Sequence, residues 1–349
     1  MRFFEQQRQA RGQTTRLLVL FTLTTAAVVL AVNAALALTW RLVAWQDAAY
    51  PNYFFQVNTG VTLLFILGGW WLESANLAGG GEQLARRAGA RPAKLLGPLS
   101  RLGSDGAEQK FCNIVSELAI AASMKAPTPM VLDRQDGINA FACGWSERDA
   151  VVAVTQGALE LLTRDELQGL VAHEFSHIRE GDMQLNMRLA GMVSGLEMIF
   201  NLGQTMCERD DNGALSFLAL PGFAVKACGS IGWLAGRALK AGVSRQREFL
   251  ADARALQFTR SKDGLGGVLR KVLGQVQRHG HGSSNDGEHV LHPSVQHMLL
   301  VDSRDDRGDK TSWFASHPPL AERIARIYGR PMPALDCDDV LPTRPDAIF

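Results

Sequence analysis

Apolar residues run without a charge from Leu17 to Trp40 and again from Tyr53 to Leu72. A helix needs roughly 20 such residues to cross a bilayer, and a signal-peptide core is shorter, at roughly 7 to 15. The pattern therefore predicts two membrane helices, the second ending on Trp70 and Trp71 as interface anchors. After Gly79-Gly80-Gly81, which reads as a hinge, apolar and polar residues mix. Thr163 with Glu166 three positions on forms a capping box, and Leu167, Leu170, Val171 and Phe175 recur at helical spacing, predicting a helix from about Arg164 to Glu180. From Met130 to Thr155 short apolar runs are broken by Asp136-Gly137 and Gly144. They predict short strands, with INAFAC at 138–143 as an edge strand before the helix.

A second apolar zone lies between Met187 and Ala241. Leu189 to Met206 and Leu215 to Leu234 suggest two more spans, but they carry Glu197 and Lys226, each costing about 2.5–3.5 kcal/mol on insertion scales. The alternative is an amphipathic hairpin lying on the protein.

Charge gives the expected orientation. Arg2, Arg8, Arg11 and Arg16 precede the first span, and Arg86, Arg87, Arg91, Lys94 and Arg101 follow the second, with only Arg41 between. Positive residues stay inside, so the N-terminus and the chain after Leu72 are expected in the cytoplasm. The acidic CERDDNGA at 207–214, followed by Arg237, Lys240, Arg245 and Arg247, fits a second excursion and return. The chain is 46% hydrophobic with a net charge of +1, and its basic residues collect at membrane flanks, which argues against nucleic acid as a partner. Cys112, Cys143, Cys207, Cys228 and Cys337 form no C-x-x-C, so a reduced compartment and no disulfide framework are expected.

The candidate chemistry is VAHEFSHIREGD, residues 171–182. Histidines four apart share one helix face, so His173 and His177 can each give a nitrogen to one Zn²⁺, while Glu174 stands close enough to take a proton from its water. Two histidines and a water leave a tetrahedral ion one ligand short. The best candidate is in SRQREFLADA, residues 244–253, where Glu248 can complete the site and Asp252 can reach the other ring nitrogen of a ligating histidine. Once Glu248 must meet His177, the segment between them crosses the membrane twice or not at all.

HEFSH at 173–177 with Asp182 after it, REFLAD at 247–252, INAFACG at 138–144 and SHPPLAERI at 316–324 stand in an order that resembles the HtpX and CAAX prenyl protease type 1 family of integral-membrane zinc metallopeptidases. The resemblance covers roughly Gln109 to Gly329. It implies His173, His177 and Glu248 as zinc ligands, Glu174 as general base and Asp252 as the carboxylate behind a ligand. It favours Asn139, Ala140, Phe141 and Ala142 as an edge strand that pairs with substrate. His317 becomes a candidate oxyanion donor and Arg323 a partner for Glu248. A second His-Pro, at His292, competes with His317, which is preferred because Arg323 and Ile324 follow it in the family pattern.

The expected fold is an α-rich α+β protein: transmembrane helices plus a zincin-like domain with a small antiparallel sheet. Residues 1–78 form the anchor, 79–108 a linker, 109–330 the peptidase domain interrupted at 187–241, and 331–349 a tail. Residues 280–287 and 302–310 read as loops. The expected function is a multi-pass, membrane-bound zinc endopeptidase of the bacterial inner membrane. It would carry one Zn²⁺ per chain, face the cytoplasm, and cleave unfolded or misfolded membrane proteins. Processing of one specific partner, or a silent metal-stabilised scaffold, are the alternatives, and Glu174 argues against the scaffold because a purely structural site has no use for it. A site-two-type intramembrane protease is disfavoured because Arg164, Asp165, Glu166, Arg179 and Glu180 flank the motif. Peptide deformylase, which Cys143 nominally permits, is disfavoured by the two apolar spans and by REFLAD.

Overall fold

The computed structural model describes residues 2–43, 49–94, 105–208, 219–279, 299–300 and 317–336, leaving aside the side chains of 2–16, 220 and 240–246. His292, the two loops at 280–287 and 302–310, the connector beyond Glu208 and the tail beyond Asp336 lie outside the described residues. In chain order the elements are α1 (Arg2–Val43), α2 (Phe54–Leu77), α3 (Gly80–Arg87), β1 (Arg91–Pro92), α4 (Asp105–Ala122), β2 (Thr128–Leu132), β3 (Ala140–Cys143), β4 (Val151–Thr155), α5 (Gln156–Leu161), α6 (Arg164–Glu180), α7 (Asp182–Met206), α8 (Ala219–Thr259), α9 (Lys262–His279) and α10 (Leu320–Tyr328). They divide into two units, 1–78 with 185–240 and 79–184 with 241–349.

The first unit holds four helical segments, each in contact with two others. Leu17–Val43 and Phe54–Leu77 are 27 and 24 residues long and apolar enough to cross a membrane. Asn33 Nδ2 donates to Thr59 Oγ1 at 3.0 Å between α1 and α2, which satisfies polar groups that lipid would leave unpaired. Glycine sets the spacing elsewhere. A Cβ on Gly195 of α7 would stand 2.4 Å from Ile66 O of α2, and one on Gly229 of α8 would stand 2.5 Å from Phe200 N of α7. Phe200 also stacks on Trp233 of α8 at 5.8 Å. Cys228 of α8 lies against α1, its Sγ 3.2 Å from Ala31 O. Small residues at helix contacts are the usual way for backbones to approach when lipid is the solvent.

The second unit is built on a four-stranded sheet in the order β1-β2-β4-β3. The expected small sheet is present, but it is mixed rather than purely antiparallel. The turn at 144–150 folds β4 back between β2 and β3, so β4 runs antiparallel to β3 and parallel to β2. Being central, β4 is buried at every residue, which accounts for the unbroken apolar VVAV. Its Thr155 caps α5, accepting from Ala158 N–H.

Helix α6 forms where its sequence signals place it. Thr163 and Glu166 make the capping box in both directions, and Gly181, at φ 75°, ends the helix in the left-handed conformation that glycine adopts without strain. Leu167, Leu170, Val171, Phe175 and Ile178 enter one core with Phe111, Ile114 and Leu118 of α4, the sheet, and Leu265, Val268 and Leu269 of α9. Close approach of α9 is possible because a Cβ on Gly169 would meet Leu265 N at 2.3 Å. Buried Lys271 of α9 then reaches Glu166 Oε2 and Leu161 O, both at 3.0 Å, tying α9 to the start of α6. Past α10 the first residues of the tail lie along α9, with Leu335 N–H donating to Arg270 O and Arg270 Nε to Pro333 O.

Candidate active site

Helix α6 presents His173, Glu174 and His177 in its third and fourth turns, all three buried or nearly so. From α8, Glu248 and Asp252 stand one turn apart on one face, both buried. The two histidine Nε2 atoms are 3.2 Å apart. Glu248 Oε2 is 3.5 Å from His173 Nε2, and Oε1 is 3.5 Å from His177 Nε2. Ligand atoms around a tetrahedral ion with bonds of about 2.0–2.1 Å are separated by about 3.3–3.4 Å, so these three side chains fit one small cation.

The outer ring nitrogens fit the same reading. Asp252 Oδ1 lies 3.1 Å from His173 Nδ1, and Asp182 Oδ2 lies 2.9 Å from His177 Nδ1. Asp182 can accept from His177 Nδ1 in the tautomer that leaves Nε2 facing the centre, and Asp252 stands beside His173 Nδ1 in the position to do the same when a cation takes the Nε2 atoms. Asp182 is the member whose role sequence reasoning missed. Its signal was Gly181: a helix stop just past His177 turns the chain so that the next carboxylate reaches back. Arg247 of α8, read only as a membrane-flanking charge, holds the other Asp182 oxygen.

Arg323 of α10 is fully buried. Its Nε and Nη2 donate to Asp252 at 2.9 and 2.7 Å, and Nη1 stands 3.3 Å from Glu248 Oε2. His317 is placed with Nδ1 3.5 Å from the same Glu248 oxygen, and both of its ring nitrogens are buried without a hydrogen-bond partner. Glu174 Oε2 is likewise buried and unpartnered.

A sequence-family comparison places this geometry. The description of peptidase family M48 matches residues 107–330. The chain is 31% identical over 228 residues to a protein named Protease HtpX homolog from Streptococcus uberis, covering 62% of this chain and 72% of that one. A protein of the same name from Thermoanaerobacter pseudethanolicus is 34% identical over 226 residues, 62% of this chain and 70% of that one. This chain belongs to peptidase family M48. No solved structure matches it. With its two apolar helices, this M48 protein is a membrane-associated metallopeptidase.

The electrostatics of the M48 site separate its carboxylates. Burial pushes the Glu174 carboxyl above the ordinary range, only partly opposed by His173 and His177. Burial works in the same direction on Glu248, yet His317 and Arg323 beside it hold it well below that range. Asp252 is also buried and is held low by Arg323 and His173. His173 is raised to about 9, Asp252 and Glu248 outweighing its burial. Burial thus dominates at Glu174, while the cations beside them dominate at the two carboxylates facing the histidines.

Of the expected edge strand, Ala140, Phe141 and Ala142 belong to β3, which is the outer strand of the sheet, and Asn139 precedes it. All of β3 is buried.

Proposed function

We propose that this M48 metallopeptidase is a zinc endopeptidase that cleaves polypeptides presented as extended strands. The observation that carries the reading is the 3.2 Å approach of His173 Nε2 and His177 Nε2, with the two Glu248 carboxylate oxygens 3.5 Å from one nitrogen each and a carboxylate beside each histidine's outer nitrogen. His173, His177 and Glu248 would hold one zinc ion per chain. Zinc bound there supplies Lewis-acid chemistry, lowering the pKa of a water towards about 7 and polarising a carbonyl.

The chain's own residues do the rest. Asp252 and Asp182 hold the imidazoles in the tautomer that presents Nε2 inward. Arg323 keeps Glu248 and Asp252 ionised and fixed. Glu174, raised by burial and with Oε2 unspent, accepts a proton from water and returns it to the leaving amine nitrogen, a role worth typically 10²–10⁴-fold. His317, whose Nε2 is buried without a partner, donates to the substrate carbonyl oxygen as negative charge grows on it. Substrate pairs with the outer edge of β3, which favours chains already unfolded because a main-chain ladder ignores side-chain identity.

In the membrane, the reading extends to four spans. Support comes from α7 and α8 packing against α1 and α2 through glycine contacts, which leave Glu197 and Lys226 half-buried. The basic flanks favour a bacterial inner membrane protein with its catalytic unit in the cytoplasm, acting in quality control of membrane proteins.

The test is cleavage of a denatured protein by the detergent-purified chain loaded with stoichiometric zinc. Glu174→Gln is expected to keep its zinc and lose cleavage by at least about 10²-fold, while Glu248→Ala loses both. A Glu174→Gln variant that still cleaves at the wild-type rate removes the general-base assignment.

A further inference from the structure

Among the described residues, β3 offers a substrate much less edge than its four residues suggest. In an antiparallel pair, alternate residues turn their N–H and C=O away from the partner strand. Thr155 N–H donates to Asn139 O at 3.1 Å and Ala140 stands opposite Val154, so Phe141 and Cys143 spend their main-chain groups on β4. Ala140 and Ala142 are left facing outward. Both outward groups of Ala140 are already taken. Its N–H donates to Asn139 Oδ1 at 3.0 Å, and its C=O accepts from Leu300 N–H at 3.1 Å.

Leu300 is built in. The same N–H also reaches Asn139 Oδ1 at 2.9 Å, and its carbonyl accepts from Arg323 Nη1 at 3.3 Å. Leu300 is 1% exposed and lies in the core that contains Ala140, Leu320 and Ile324. A main-chain unit held from both ends, with its side chain in the core, is a fixed partner for β3. Because Arg323 also grips Asp252 and Glu248, Leu300, the candidate ligand Glu248 and the carboxylate behind His173 share one guanidinium as their common reference.

We propose that Leu300 is a register stop: it ends the substrate's pairing at Ala140, so that a bound polypeptide makes its ladder contact with Ala142 alone on this strand. The inference rests on the reading of β3 as the substrate strand. On the side of the scissile bond that faces Ala140, recognition then lacks a main-chain ladder. Cleavage becomes indifferent to backbone on that side, and the position of the cut relative to the paired residue is fixed.

A peptide cleaved at one bond, methylated in turn at each backbone nitrogen, tests this without altering the protein. With zinc-loaded wild type, methylation of the residue paired to Ala142 is expected to raise KM about threefold to tenfold, the value of a lost hydrogen bond. Methylation two residues further towards Ala140 is expected to change nothing. Sensitivity at every second residue in both directions in the wild type overturns the register stop and leaves the strand reading standing. If no methylated position raises KM, the strand reading itself falls and the stop falls with it.

Discussion

The two units are held together internally by opposite means. In the first, helical unit the close contacts are made by the absence of side chains: Gly195 against Ile66 O and Gly229 against Phe200 N. In the peptidase unit the deepest contacts are made by charge: Arg323 against Asp252 and Glu248, and Lys271 against Glu166, all with little or no exposure. On the proposed four-span reading, the difference follows from the solvent. Lipid gives apolar helices no reason to associate except close packing, whereas an aqueous domain can bury a charge when every partner is in place. A packing-based unit should therefore tolerate removal of polar groups and resent added volume, and a charge-based unit the reverse.

Arg323→Met is expected to give the largest effect. It leaves two buried carboxylates without their cation and should cost about 3–5 kcal/mol in denaturant unfolding, with loss of bound zinc. Retention of zinc and of full stability would mean that the Glu248–Asp252 pair is held by other groups. Next comes Gly195→Leu in the helical unit, where the new side chain meets the backbone of α2. Overpacking of this kind costs about 1–3 kcal/mol, read as a lower thermal midpoint in detergent.

A smaller effect concerns pH. Hydrogen bonds from Arg91 outweigh burial at Glu108 and hold its carboxyl below the ordinary range. The folded state then binds that proton less readily than the unfolded chain. The pair's stabilisation is complete above the ordinary carboxylate pKa of about 4.3 and is lost as pH falls through the lower folded value. Glu108→Gln should flatten that part of the acid-unfolding curve while lowering stability at pH 7, whereas an unchanged acid limb would assign the slope to other carboxylates. Gly68→Ala, with nothing within 4 Å of its added Cβ, is expected to shift stability by no more than about 0.5 kcal/mol. A large loss there would break the distinction between contact and non-contact glycines.

Local signals were legible and global pairings were not. The capping box, the Leu167 to Phe175 periodicity and the Gly181 stop are properties of neighbours in sequence, so α6 was readable with both of its ends. The strand before it was readable as an edge, although it begins at Ala140 rather than at Ile138. The parallel pairing of β2 with β4 was hidden, since it depends on where the chain re-enters the sheet after β3. Lys271 was equally hidden, because a lysine inside KDGLGGVLRKV carries no local mark of burial beside Glu166.

The sequence by itself determined the elements and the candidate chemistry: two apolar helices, the helix that carries His173, Glu174 and His177, and a downstream carboxylate pair at helical spacing. Each of these rests on periodicity or on residue type within a few turns. Only the tertiary structure decided that Asp182 and Arg247 stand behind His177, that Arg323, expected beside Glu248, grips Asp252 as well, and that Leu300 takes the outward carbonyl of Ala140. Those contacts join residues tens to more than a hundred positions apart or turn on a helix stop. The only rule that links them is physical: a buried polar group must find its partner wherever the fold puts one.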